Sequence, residues 1–292
     1  MKRLIFIILP LILLACRRES VPEVTAADQA GSVPLVLLAE GVDDYVTKAG
    51  VQVTTTANLA SFYAAATTGA AGSEVSAWSS TEFTKSGDSY IGGKYWPISN
   101  PGYHFYASNC PLVFHAGGSL VQASNNADVI CAYKATPSYK EDNTLVFKHI
   151  FARIGVVTAH AQDGYTLSNV SIRISPQTGG KYNLRTGDGK TDGTGWSELT
   201  TGSAVELTSG AIGSKDIDLY LVPGTYTLTA TWTATRGDYV ETFTAKTTQV
   251  NLEGSKISNL TATLGGQAVA VKITVSVSDW SSGNLTATFP LS

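Results

Sequence analysis

The chain has 292 residues, 43% of them hydrophobic and 15% charged, and carries a formal net charge of −3 at pH 7. That length accommodates two ordinary domains, each able to bury a core. The near-neutral balance offers no basic field to a nucleic-acid backbone and no acidic tail, so nucleic acid is excluded as a partner class.

Lys2 and Arg3 precede an apolar run, interrupted by Pro10, that closes in Leu13-Leu14-Ala15-Cys16. A positive start, a short apolar segment and a small residue before a cysteine form the layout of a bacterial lipoprotein signal, too short to span a bilayer. Residues 1–15 are therefore expected to be removed. Cys16 then becomes the lipidated first residue, with acyl chains such as palmitate holding the protein on the cell envelope, outside the cytoplasm. Residues 17–32 are small, polar and patternless, and read as a tether.

Val33 to Ala39 is a continuous apolar run, as expected of a strand buried on both faces. Pro34 stands near its start, where a strand tolerates proline. Residues 40–50 follow as a polar loop with two glycines and Lys48.

Further strands are expected at Leu59 to Ala66, Val75 to Phe83, Tyr90 to Trp96, Tyr103 to Ser108, Leu112 to His115 and Val129 to Lys134. A second set is expected at Leu145 to Ala161, Thr166 to Ile174, Lys181 to Leu184, Ile217 to Val222, Tyr226 to Thr235, Glu241 to Val250, Leu260 to Leu264 and Val271 to Val277. Tyr226, Leu228, Ala230 and Trp232 alternate with threonines, the pattern of a half-buried antiparallel strand. Val222-Pro223-Gly224-Thr225 supplies the preceding turn. The fold class is therefore all-β, as two successive antiparallel β-sandwiches dividing near Asn143, with no internal repeat.

The sequence shows no motif of a catalytic centre, cofactor site or metal site. His104, His115, His149 and His160 stand in no ligand spacing, and HExxH, CxxC and Gly-x-Ser-x-Gly are absent from the sequence. Gly187-Asp188-Gly189-Lys190-Thr191-Asp192-Gly193 offers too few oxygen ligands for a calcium loop and reads as a flexible hairpin loop. Cys110 and Cys131 allow either a disulfide, which the oxidising envelope permits, or two buried thiols. The aromatics Tyr90, Tyr95, Trp96, Tyr103, Phe105 and Tyr106 fit core packing, or alternatively a surface that stacks on glycan or protein.

Three groups of segments together resemble the fimbrillin family of type V pilus lipoproteins from Bacteroidales. They are Tyr95-Trp96-Pro97 with Tyr103-His104-Phe105-Tyr106-Ala107; Ala127-Asp128-Val129-Ile130 with Leu145-Val146-Phe147-Lys148-His149-Ile150-Phe151-Ala152-Arg153-Ile154; and the closing Val275-Ser276-Val277-Ser278-Asp279-Trp280. The resemblance implies two tandem transthyretin-like sandwiches, at 49–143 and 144–292, after a signal at 1–15 and a lipidated propeptide at 16–48. It implies a precursor held by lipid on the outer membrane and a product in the extracellular fimbrium. In that family a trypsin-like protease cuts after the first strand, and the groove left behind takes a strand from a neighbouring subunit.

On this pattern Val33 to Ala39 is the removable strand, and cleavage falls between Lys48 and Ala49, where the family commonly shows Thr-Arg-Ala. The tail, residues 271–292, is the candidate donor through Leu285, Ala287, Phe289 and Leu291; the competing reading is that it completes its own sandwich. Implied partners are other fimbrial subunits, the outer membrane and a host or bacterial surface receptor. The role is structural and adhesive, in the stalk or at the tip rather than as an anchor, and not enzymatic. The alternative is a monomeric surface lipoprotein that binds glycan or protein through the aromatics around Trp96.

Overall fold

The computed structural model describes residues 33–40, 59–70, 73–96, 102–115, 118–124, 127–136, 143–210, 212–266, 271–279 and 285–289. Every regular element among them is a β-strand, so the protein is all-β. The first strands are β1 (Val33–Glu40), β2 (Ser61–Thr68), β3 (Val75–Ser86), β4 (Ser89–Trp96), β5 (Tyr103–Ser108), β6 (Leu112–Val113), β7 (Leu120–Ser124) and β8 (Ile130–Thr136). Next come β9 (Thr144–Val146), β10 (Lys148–His149), β11 (Ala152–Ala161), β12 (Thr166–Ile174), β13 (Gln177–Asn183), β14 (Trp196–Thr201) and β15 (Val205–Ser209). The last are β16 (Gly213–Leu221), β17 (Gly224–Arg236), β18 (Tyr239–Leu252), β19 (Lys256–Leu264), β20 (Val271–Asp279) and β21 (Leu285–Phe289).

An eight-stranded sheet runs β10-β8-β5-β2-β3-β4-β1-β9. Its two ends, β9 and β10, are separated in sequence by Phe147 alone, so the sheet curls until its ends meet at that residue. Alternation then points one row inward from each strand. Leu35, Leu37, Phe62, Phe83, Tyr90, Trp96, Phe105 and Phe147 form this core.

The second half builds a sandwich from a five-stranded sheet, β16-β11-β19-β20-β21, and a four-stranded sheet, β15-β12-β17-β18. Ile154 and Leu260 from one sheet pack with Ile172, Leu228 and Phe243 from the other. The alternation expected in β17 is present: Tyr226, Leu228, Ala230, Trp232 and Ala234 are all buried. Trp232 stacks on Phe243 at 4.6 Å and donates its indole N–H to the Gly265 carbonyl at 2.9 Å, so the ring is buried without leaving a polar group unpaired.

A third sheet, β14-β13-β7-β6, joins strands from both sides of residue 143. Tyr182 of β13 pairs with Val121 of β7, and both enter a core shared with Tyr106, Cys131, Ile150, Phe151, Tyr220 and Val222. The sequence boundary near Asn143 is thus crossed by a continuous hydrogen-bonded sheet. The single long strand expected over Leu145 to Ala161 is also divided, into β9, β10 and β11, because Phe147 turns into the first core while Ile150 and Phe151 turn into the shared one.

Candidate functional site

β1 lies between two strands that it pairs with in opposite senses. Its first part runs antiparallel to β4, with Val33 opposite Trp96, Pro34 opposite Tyr95, Val36 opposite Ile91 and Leu37 opposite Tyr90. Its last part runs parallel to β9, with Leu38, Ala39 and Glu40 opposite Thr144, Leu145 and Val146. Between Pro34 and Val36 the register slips, because β4 bulges at Gly92-Gly93. Gly93 has φ +64°, and a Cβ on Gly92 would sit 2.6 Å from the Phe83 ring, so both positions of the bulge call for glycine.

The slot is lined by the first core. Leu35 and Leu37 are fully buried in it, each contributing roughly 1.5–3 kcal/mol. Val36 and Leu38, on the other face, are 39% and 41% exposed. The expectation of a strand buried on both faces is therefore corrected: among the described residues no further layer covers Val36 and Leu38 on the outer face of the curled sheet. At the end of β1 the Phe147 amide donates to the Glu40 carbonyl at 2.8 Å. Cys16, Lys48 and Ala49 lie outside the described residues.

The tail is built as a hairpin. β20 pairs with β19, and Ile273 and Val275 are buried in the second core. β21 pairs with β20, placing Leu285, Ala287 and Phe289 opposite Val275, Ile273 and Val271 at the outer edge of the five-stranded sheet. Leu291 lies outside the described residues. The backbone of the tail thus completes a sheet of its own chain in this structure.

The aromatic surface considered from the sequence is a correction. Tyr90, Trp96, Tyr103, Phe105 and Tyr106 are buried and Tyr95 is half-buried; Trp96 stacks on Tyr103 at 4.9 Å and meets Phe105 edge-on at 5.6 Å. The five buried rings fill cores, where no glycan can stack on them, so of the six aromatics only Tyr95 keeps part of its surface.

Cys110 and Cys131 are both free thiols. Cys131, opposite Ser108 in the β5–β8 pairing, is buried, and that burial pushes its thiol up to about 12; burial also raises Cys110. His149 Nδ1 lies 2.8 Å from the Asp128 carboxylate, both side chains buried, and His104 bonds the Tyr133 hydroxyl at 2.9 Å. The 187–193 loop is tied down by the Tyr182 hydroxyl, which donates to the Gly187 carbonyl at 2.7 Å. Hydrogen bonds from the Thr194 hydroxyl and amide hold the Asp192 carboxyl below its usual range. Among the described residues no group of three or more His, Cys, Asp or Glu side chains is placed to hold a metal ion.

Sequence reasoning gave no sign of the Glu74–Arg185 ion pair, which joins the residue before β3 to a residue just after β13. No local pattern marks a contact between residues 111 positions apart.

Residues 40–280 match the model of a family described as fimbrillin-like. Among solved structures, the chain is similar to a candidate cell adhesion protein from Parabacteroides distasonis, at 11% identity over 86% of this chain and 98% of that one, with a TM-score of 0.50. It is also similar to a candidate cell adhesion protein from Bacteroides uniformis, at 16% identity over 87% and 99% of the two chains and a TM-score of 0.45. A fimbrial assembly protein from Parabacteroides distasonis matches at 9% identity over 85% and 96%, with a TM-score of 0.37. At such identity the likeness to the first of these concerns the fold alone. No curated protein matches the chain.

Proposed function

The chain belongs to the fimbrillin-like family, matched over residues 40–280, and from that premise we propose that it is a fimbrial subunit assembled by exchange of its first strand. The family is one of structural and adhesion proteins rather than enzymes. Its place is the cell surface, in an extracellular fimbrium beside other fimbrial subunits.

In this reading the precursor is exported as a lipoprotein and held on the outer membrane through Cys16. Cleavage between Lys48 and Ala49 frees β1. The observation that carries the proposal is the seating of β1: it is flanked by β4 and β9 and inserts Leu35 and Leu37 into an aromatic core. Its departure leaves two unpaired strand edges and two leucine-sized holes, which is the chemistry of a groove that accepts an alternating strand. Leu285, Ala287, Phe289 and Leu291 of a neighbouring subunit supply such a row. Two transthyretin-like units, 49–143 and 144–292, make up the subunit, the second lending its β13–β14 hairpin to β7 and β6. A stalk or tip position follows from a subunit that is both cut and able to donate.

Intact mass and N-terminal sequencing of the protein sheared from its native cells test this reading. A sheared form beginning at Ala49 supports strand release. A single membrane-bound form beginning at lipidated Cys16 overturns it.

A further inference from the structure

β17 and β18 are the longest strands described, 13 and 14 residues, and they pair from Gly224↔Leu252 to the closing pair Arg236↔Tyr239. The loop that remains is Gly237-Asp238. Gly237 has φ +59°, the value that a two-residue hairpin with glycine at its first position requires, and a Cβ placed there meets nothing within 4 Å. Residues 236–240 are all exposed, Tyr239 by 42% and Val240 by 64%. The apex is therefore open to solvent and carries, in three consecutive residues, a guanidinium, a bare backbone position and a carboxylate.

The loop is braced rather than loose. The Arg236 guanidinium lies 5.5 Å over the Tyr165 ring, and Tyr239 meets the same ring edge-on at 6.4 Å. A loop already held in its turn gives up little conformational entropy on binding. Ion pairs and cation–π contacts at exposed positions are weak, so a partner's carboxylates can draw the Arg236 guanidinium off the Tyr165 ring while Tyr239 keeps its contact there. A carboxylate is a hard oxygen ligand for a divalent cation, and a guanidinium forks onto carboxylates.

We propose that Arg236-Gly237-Asp238 is a receptor-docking loop, read by an adhesion receptor that takes the Asp238 carboxylate onto a receptor-held divalent cation and the Arg236 guanidinium onto its own carboxylates. Gly237 lets the receptor approach the backbone between them, and Tyr239 and Val240 extend the contact with apolar surface. The inference rests on the adhesive part of the proposed function and is independent of strand exchange, because the loop is formed in a single subunit with β1 in place.

The test is binding of the purified full chain, immobilised, to a panel of soluble integrin ectodomains that read Arg-Gly-Asp, in magnesium or manganese buffer. The expected result is saturable binding that is abolished by chelator, competed by a short Arg-Gly-Asp peptide and weakened about tenfold or more in Asp238→Glu. That variant keeps the charge and the turn but moves the carboxylate by one methylene; an unchanged Tm shows that it folds. Arg236→Gln is expected to weaken binding likewise. Absence of binding across the panel, binding that survives chelation, or Asp238→Glu binding like the parent overturns the proposal. Polymerisation of cleaved subunits, scored separately, reports on strand exchange and leaves this result unaffected.

Discussion

The Glu74 carboxylate, wholly buried, is paired with the Arg185 guanidinium, which also lies 5.7 Å over the Tyr133 ring. The contact fastens the turn after β13 to the entrance of β3, and so holds the β13–β14 hairpin against the eight-stranded sheet on the side of the shared core. Removing the arginine takes the guanidinium away from a buried carboxyl group. Arg185→Ala is expected to cost about 3 kcal/mol, read as a lower denaturation midpoint in urea. Replacing both partners at once, with Glu74→Gln and Arg185→Met, is expected to recover most of the loss.

β1 offers an internal comparison, since neighbouring side chains of one strand face opposite environments. Leu37→Ala is expected to cost about 2–5 kcal/mol and to loosen the strand. Leu38→Asn is expected to stay within about 0.5 kcal/mol of the parent. Hydrogen exchange at the Phe147 amide, which donates to the Glu40 carbonyl, should speed up in the first variant and not in the second.

Trp96 belongs to the stability of the first core. Trp96→Ala is expected to cost about 3–5 kcal/mol in a chemical denaturation measurement. A variant with unchanged stability would contradict the packing against Tyr103 and Phe105.

Alkaline pH should unfold the protein, because buried phenols and a buried thiol must ionise. Burial raises the Tyr220 and Tyr226 hydroxyls and the Cys131 thiol to about 12, and raises Tyr182 further. Their ordinary values are 10.0 for the phenols and 9.0 for the thiol. A folded value above the unfolded one means that the unfolded chain releases its proton first. The stabilisation is therefore complete below the unfolded values and is lost as pH rises from about 9 toward 12. Ultraviolet titration should show a set of tyrosines that ionise late, together with unfolding, and Cys131 should resist alkylation at neutral pH until denaturant is added.

The sequence by itself determined what depends on neighbours along the chain. Thr166 to Ile174 and Tyr103 to Ser108 coincide with β12 and β5, and the buried row of β17 is the one its alternation marks, because side-chain direction in a strand is set every second residue. The all-β class follows from the same local signal. β14 and β15 escaped it: Trp196–Thr201 is an exposed strand whose residues need no apolar row. Only the tertiary structure decided where rows meet. The continuous apolar run of β1 contained two rows of equal character, and the curl of the sheet selected Leu35 and Leu37 for the core while leaving Val36 and Leu38 outside. The aromatics around Trp96 favoured a core but left a ligand surface open, and the closing of the sheet buried Tyr90, Trp96, Tyr103, Phe105 and Tyr106. The sheet that crosses residue 143, the Glu74–Arg185 pair and the bare apex at Gly237 depend on partners far apart in the chain or on empty space around a loop, and no local periodicity records either.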